Sequence, residues 1–162
     1  MDCQMSSQEH PAERLWRQHG AVAPYPDGVI AVPQPIPGVS FFPGGYGLWR
    51  PQVNRPLPAW PLGGVMILGH DFHSERGYRK SLARGREVET QPTWRNLLAL
   101  LSRAGIDRND CFFTNAFMGL RRGHATTGIF PGARDSLFVA RCREFLGDQI
   151  AAQQPRLIIT LG

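Results

Sequence analysis

The chain has 162 residues, 42% of them hydrophobic, which suits one domain of ordinary size and excludes wholesale disorder. Its 18 Lys+Arg outnumber 13 Asp+Glu, and Lys80 is the single lysine; this fits a polyanionic partner contacted by arginine, or a coding bias toward that residue. Three scattered cysteines, Cys3, Cys111 and Cys142, and the lack of any apolar run of about 18 residues argue against a disulfide scaffold, a membrane span and a secretory signal, so a cytoplasmic protein is expected.

Pro11 to Trp16 can start a short helix with Ala12, Leu15 and Trp16 on one face. From Val22 to Pro61 the prolines are too frequent for long elements, and short strands are expected at Val29–Val32 and Gly38–Phe42. Gly44, Gly45 and Gly47 around Tyr46 read as a turn. Residues 1–63 are therefore expected to form a Pro/Gly-rich segment packing on a core made by residues 64–162.

The second part has a cleaner rhythm. Val65–Leu68 is a short apolar run between glycines, the pattern of a strand buried on both faces. Phe72 to Gln91 is polar and irregular, and reads as a long loop. Thr93 can cap a helix whose apolar face is Trp94, Leu97, Leu98 and Leu101, with Gly105 as its stop. Cys111–Thr114 predicts a second buried strand, and Ala116 to Arg134 another loop. Asp135 or Ser136 can cap a longer helix carrying Phe138, Cys142, Phe145, Leu146 and Ile150, ended by Pro155. Leu157–Leu161 predicts a third buried strand closed by Gly162. Alternation of apolar strands and helices implies an α/β fold with a parallel sheet, whose ligands bind at the carboxyl ends of the strands.

Two loops leave those ends, and both carry polar residues. Asp71 can orient a water or stabilise a cation, or serve as a turn residue. His70 and His73 flank it, but the three have no recognised metal-ligand spacing. Asn115 offers a donor and an acceptor that can read a nucleobase edge, or cap a turn. Arg121, Arg122 and His124 can touch phosphates, or form a solvated basic loop.

Taken together, these segments resemble the uracil-DNA glycosylase superfamily. Leu68-Gly69-His70-Asp71-Phe72-His73 looks like the family's water-activating motif, Gly-Gln-Asp-Pro-Tyr in its best-known branch. Thr93 through Leu98 resembles the start of the first core helix. Phe112-Phe113-Thr114-Asn115 is similar to the strand whose terminal Asn binds uracil, and Cys142 through Gly162 to the helix and strand that follow. The resemblance covers about the last hundred residues. It implies a three-layer α/β/α fold around a central parallel sheet, and hydrolysis of the N-glycosidic bond of uracil, or a related damaged base, in single- or double-stranded DNA during base-excision repair. Asp71 would activate water; Gly69, His70, Phe72, His73 and Asn115 would line the base pocket; Arg121, Arg122 and His124 would hold DNA.

The sequence also departs from the family. His70, Phe72 and His73 replace Gln, Pro and the Tyr that excludes the thymine methyl. Between Arg76 and Pro92 only Tyr78 occurs where a stacking Phe is usual, and Phe72 is the closest substitute. Only Cys142 matches the cysteine ligands of the iron–sulfur branch, and Gly119 sits where another would be, so no cluster, metal or other cofactor is expected. The family's His-containing second motif and last strand have no counterpart, so a further segment or a partner is expected to complete the sheet. Two other readings stand beside the enzyme: a non-catalytic module that binds a nucleobase or DNA, and a small-molecule α/β protein with a neutral site.

Overall fold

The computed structural model describes residues 9–49 and 55–161, so Cys3 and Gly162 lie outside the described residues. Helix α1, Pro11–Gln18, begins with proline at its first position, where no backbone donor is needed, and with the His10 ring accepting the Ala12 N–H. Strand β1 is only Val29–Ile30. The strand expected at Gly38–Phe42 does not form. That segment makes turns, Val39 N to Ile36 O and Gly45 N to Phe41 O, and its Phe42 N–H donates to Phe113 O. Gly47 O in turn accepts the Phe113 N–H. The polar edge of the neighbouring strand is thereby covered by irregular chain.

Strand β2, Val65–Asp71, and strand β3, Cys111–Phe117, both run three residues past their apolar runs. Asp71 and Asn115 therefore sit on strand ends, with backbones fixed by ladder hydrogen bonds. Strand β4, Leu120–Arg121, pairs antiparallel with β1. Strand β5, Leu157–Thr160, pairs parallel with β2, which also pairs parallel with β3, so β2 lies in the centre. The register puts Val65 opposite both Cys111 and Leu157. The expectation that β5 is buried is corrected: Leu157 is 48% and Ile158 39% exposed, because β5 is an edge among the described residues.

The expected loop from Phe72 to Gln91 contains a helix, α2, at Glu75–Arg84. Ser74 accepts the Gly77 N–H and starts it; Gly85, in the left-handed conformation at φ 64°, ends it. Helix α3 is Pro92–Arg103. Its cap position is Gln91 rather than Thr93, since Pro92 takes the first helical place and Thr93 falls in the first turn. Helix α4 is Ser136–Gln153, capped by the Asp135 carboxylate on the Phe138 N–H.

Strand pleating divides the core. Val65, Ile67, Cys111 and Phe113 pack with Trp94, Leu97 and Leu101 of α3. Met66 and Phe112 pack with Phe138, Cys142 and Phe145 of α4, with Ala12 and Leu15 of α1, and with Phe42 and Leu48. Residues before Gly64 thus supply part of the core. Thr114 donates to Gln149 Oε1 at 2.6 Å, a fully buried polar pair joining β3 to α4. The structure is a mixed α/β fold with a three-stranded parallel sheet packed against helices, plus a small antiparallel pair. No helix among the described residues is long and apolar enough to cross a membrane.

Candidate functional site

Gly69 of β2 lies opposite Asn115 of β3. Pleat alternation continues the face carrying Val65, Ile67 and Phe113 through Gly69, Asp71 and Asn115. There a cleft of about 400 Å³ opens at the carboxyl ends of the two strands. Gly69, His70, Asp71, Phe72, His73 and Asn115 all line it, so six of the expected site residues are brought together.

Asn115 is buried, and its Nδ2 donates to Phe42 O at 2.8 Å. This bond assigns the amide orientation, leaving the second N–H and the oxygen without a protein partner among the described residues. A side chain at Gly69 would collide with Asn115 Oδ1, so glycine is required where the amide turns toward β2. Phe72 lies over Gly44 and His73 over Gly77, in both cases where a Cβ would overlap the ring.

Asp71 is the most constrained group. Its Oδ1 accepts from Arg121 Nε at 3.2 Å; its Oδ2 accepts from Arg121 Nη2 at 2.9 Å and from His70 Nδ1 at 2.8 Å. Burial pushes the carboxyl upward, but hydrogen bonds from Arg121 and His70 and their charges outweigh it, holding Asp71 below its ordinary value. Two carboxylate oxygens offer about four acceptor sites. Three are used, and one on Oδ1 remains for a water.

Arg121 does not take the phosphate-binding role expected of it. Its side chain is 5% exposed, and all five N–H donors are committed. Two go to Asp71, and three to the carbonyls of Thr127, Gly128 and Ile129. It has no donor left for a phosphate oxygen. Arg122 and His124 are exposed but do not line the cleft. The cations that do are Arg84 and Arg86, from the end of α2 and just beyond.

His73 Nδ1 accepts the Ser74 N–H at 3.0 Å, which puts its ring proton on Nε2. Burial is the main reason its pKa lies below the ordinary imidazole value, with Asp71 opposing and Lys80 reinforcing. The ring is therefore neutral at physiological pH. No group of three His, Cys, Asp or Glu side chains among the described residues is placed to hold a metal.

Sequence reading missed other residues that line the cleft: Val39, Phe41, Glu87, Val88 and Trp94. Phe41 packs on Trp94 with centroids 5.3 Å apart. Glu87 Oε1 accepts the Ser40 N–H at 2.7 Å. Burial is the largest influence on Glu87 and raises its pKa, in spite of hydrogen bonds from Ser40, Trp94 and Val88. A carboxyl in a run of charged residues gives no local signal of this. No protein-family model and no curated protein matches the chain.

Proposed function

We propose that this is a uracil-DNA glycosylase-like enzyme, hydrolysing the N-glycosidic bond of uracil or a related damaged base in DNA as a step of base-excision repair. One observation carries the reading: an ionised carboxylate and a fixed amide, Asp71 and Asn115, open into the same cleft from the ends of adjacent parallel strands. Ligands of open α/β sheets bind at that place. With α3 on one face of the sheet and α1 and α4 on the other, the packing is consistent with the three-layer α/β/α arrangement that the resemblance implies.

The chemistry uses the parts as they lie. The target base leaves the stack and enters the cleft, where the Asn115 oxygen and remaining N–H read its edge. Phe41 and Phe72 offer apolar faces. A water bound to the free acceptor site of Asp71 Oδ1 is held for attack on the sugar carbon. The C–N bond breaks with its electron pair leaving on the base, the water oxygen bonds to carbon, and its proton passes to Asp71. Because Arg121 keeps Asp71 ionised, the carboxylate is always ready, and because Arg121 also neutralises it, orientation outweighs charge stabilisation. Arg84 and Arg86 at the rim suit flanking phosphates. Their charge also disfavours the reading as a neutral small-molecule site.

The Arg121–Asp71 pair favours a second reading, a nucleobase- or DNA-binding module without turnover, since a carboxylate so engaged is a weak base. Release of free uracil from a single-stranded uracil-containing oligonucleotide separates the two. The enzyme reading expects release by the protein and at least about 100-fold less by Asp71→Asn, the scale of a lost general base. Tight oligonucleotide binding with no release by either protein would overturn it in favour of the binding module.

A further inference from the structure

Asp71 has two partners of different kinds, Arg121 and His70. An arginine stays charged, whereas a histidine ring gains and loses its charge within the physiological range. His70 precedes Asp71 at the end of β2, and its Nδ1 lies 2.8 Å from Asp71 Oδ2. An ionised carboxylate can only accept, so the proton of this bond sits on Nδ1, and the neutral ring carries its lone pair on Nε2. Nε2 has no partner among the described residues. The ring is also braced from the side. Its centroid is 5.0 Å from that of Phe117 and 6.4 Å from that of Phe130, edge-on to both, and those two rings stack on each other at 4.7 Å. Although the His70 side chain is 56% exposed, packing and the hydrogen bond together set its direction.

The lone pairs of Asp71 show what the bond does. Oδ2 accepts from both Arg121 Nη2 and His70 Nδ1 and is full, while Oδ1 accepts only from Arg121 Nε. Without His70, a water could settle on either oxygen. We propose that His70 is a positioning residue that closes Oδ2, so that the attacking water is held on Oδ1 alone, and that the charge of its ring sets how strongly Asp71 draws the proton of that water. This rests on the glycosylase reading and adds its regulation by pH. Nδ1–H donates in both states of the ring, so a proton taken up at Nε2 leaves the bond in place and puts a second cation beside the carboxylate. Release then slows as pH falls, while Asp71 itself is still ionised. The hydrogen bond and the charge of His70 both act on Asp71 in this direction. The charged groups around the ring are Asp71 and His73 on its own segment, Arg121 from β4, and Arg84, Arg86 and Glu87 lining the same cleft. The end of β3 and the residue after β5 bring Phe117 and Leu161, and the loop after β4 brings Phe130, none of them charged. Arg122 and His124 of that loop lie outside the cleft.

The test is single-turnover release of uracil from a single-stranded oligonucleotide, from mild acid to mild alkali, for the wild type, His70→Asn and His70→Phe, with melting curves and nitrogen NMR of the His70 ring. Asparagine sets an amide N–H near the place of Nδ1 and cannot titrate; phenylalanine keeps the aromatic contacts and has no donor. The wild-type rate should fall about tenfold per pH unit in mild acid, the slope of one proton. His70→Asn should lose that fall, and this profile, not its absolute rate, decides. His70→Phe should melt like the wild type and release uracil about 100-fold more slowly at neutral pH, the scale of a misplaced reacting group. The neutral ring should carry its proton on Nδ1. A wild-type rate that is flat in mild acid overturns the proposal, as does the same fall in His70→Asn, a wild-type rate in His70→Phe, or a ring protonated on Nε2 alone. In each of those cases release by the wild type leaves the glycosylase reading standing. If the wild type releases no uracil at any pH, that reading falls and takes this proposal with it.

Discussion

Replacing Arg121 by methionine tests the keystone of the site. The substitution removes two hydrogen bonds to Asp71 and three to the carbonyls of residues 127–129. It leaves a carboxylate whose side chain is only 13% exposed with His70 as its remaining partner. Breaking a buried pair from one side costs about 3–5 kcal/mol. Partial exposure of Asp71 and the retained His70 contact put the expectation near the lower end, about 3 kcal/mol. For a chain of this size each kcal/mol moves Tm by about 2–4 °C, so Arg121→Met should melt roughly 6–12 °C lower. Calorimetry at neutral pH measures this, and Asp71→Asn together with Arg121→Met should recover part of the loss. The folded-state pKa of Asp71 lies below its ordinary 3.8, so its contribution is present above that value. It fades as pH falls through the lower, folded-state pKa. The difference between the wild type and Arg121→Met should therefore shrink only in strong acid. A Tm change under about 2 °C at neutral pH would refute the assignment of Arg121 as an interior partner.

Two further substitutions probe the amide and its strand. Gly69→Ala should push the Asn115 side chain off Phe42 O, costing about 1–3 kcal/mol for the stranded carbonyl, and slow uracil release more than it lowers Tm; an unchanged rate would show that the Asn115 orientation is not used. Thr114→Val strands Gln149 Oε1 in the core and should cost about 1–3 kcal/mol in denaturant unfolding without changing the cleft. A neutral result would mean that the Gln149 amide finds another donor.

How far the fold was legible follows from where its signals lie. The central strands announce themselves because residues buried on both faces must be apolar in a row, as in Val65–Leu68 and Cys111–Thr114. Their carboxyl ends were harder to bound, because Gly69 to Asp71 and Asn115 stay in the ladder while switching to polar chemistry. Helix α2 was missed because Tyr78 is its one buried residue, leaving no apolar stripe; its Ser74 cap and Gly85 stop were the available signals. β5 shows the opposite error, an apolar run that lies partly in solvent because no described strand pairs on its far side. Asp71 and Asn115 were legible as cleft residues because they follow directly on apolar runs that mark where the strands lead. Arg121 was misplaced because charge in a glycine-rich loop reads as solvent-facing, and only the three-dimensional fold reveals the carbonyl cage around it. Phe41 and Glu87 come from segments whose positions depend on contacts made far along the chain.

The turn-rich stretch from Val39 to Phe42 has a consequence for how such a site can change. It supplies one wall, the anchor of the Asn115 amide and the latch of Glu87, yet it contributes no strand to the sheet. A few replacements or an altered length there would reshape the pocket and re-aim the Asn115 and Glu87 side chains while the ladder beneath kept its register. On the glycosylase reading proposed above, selectivity for one base over another can thus drift through a short connector, independently of the strands that carry Asp71 and Asn115.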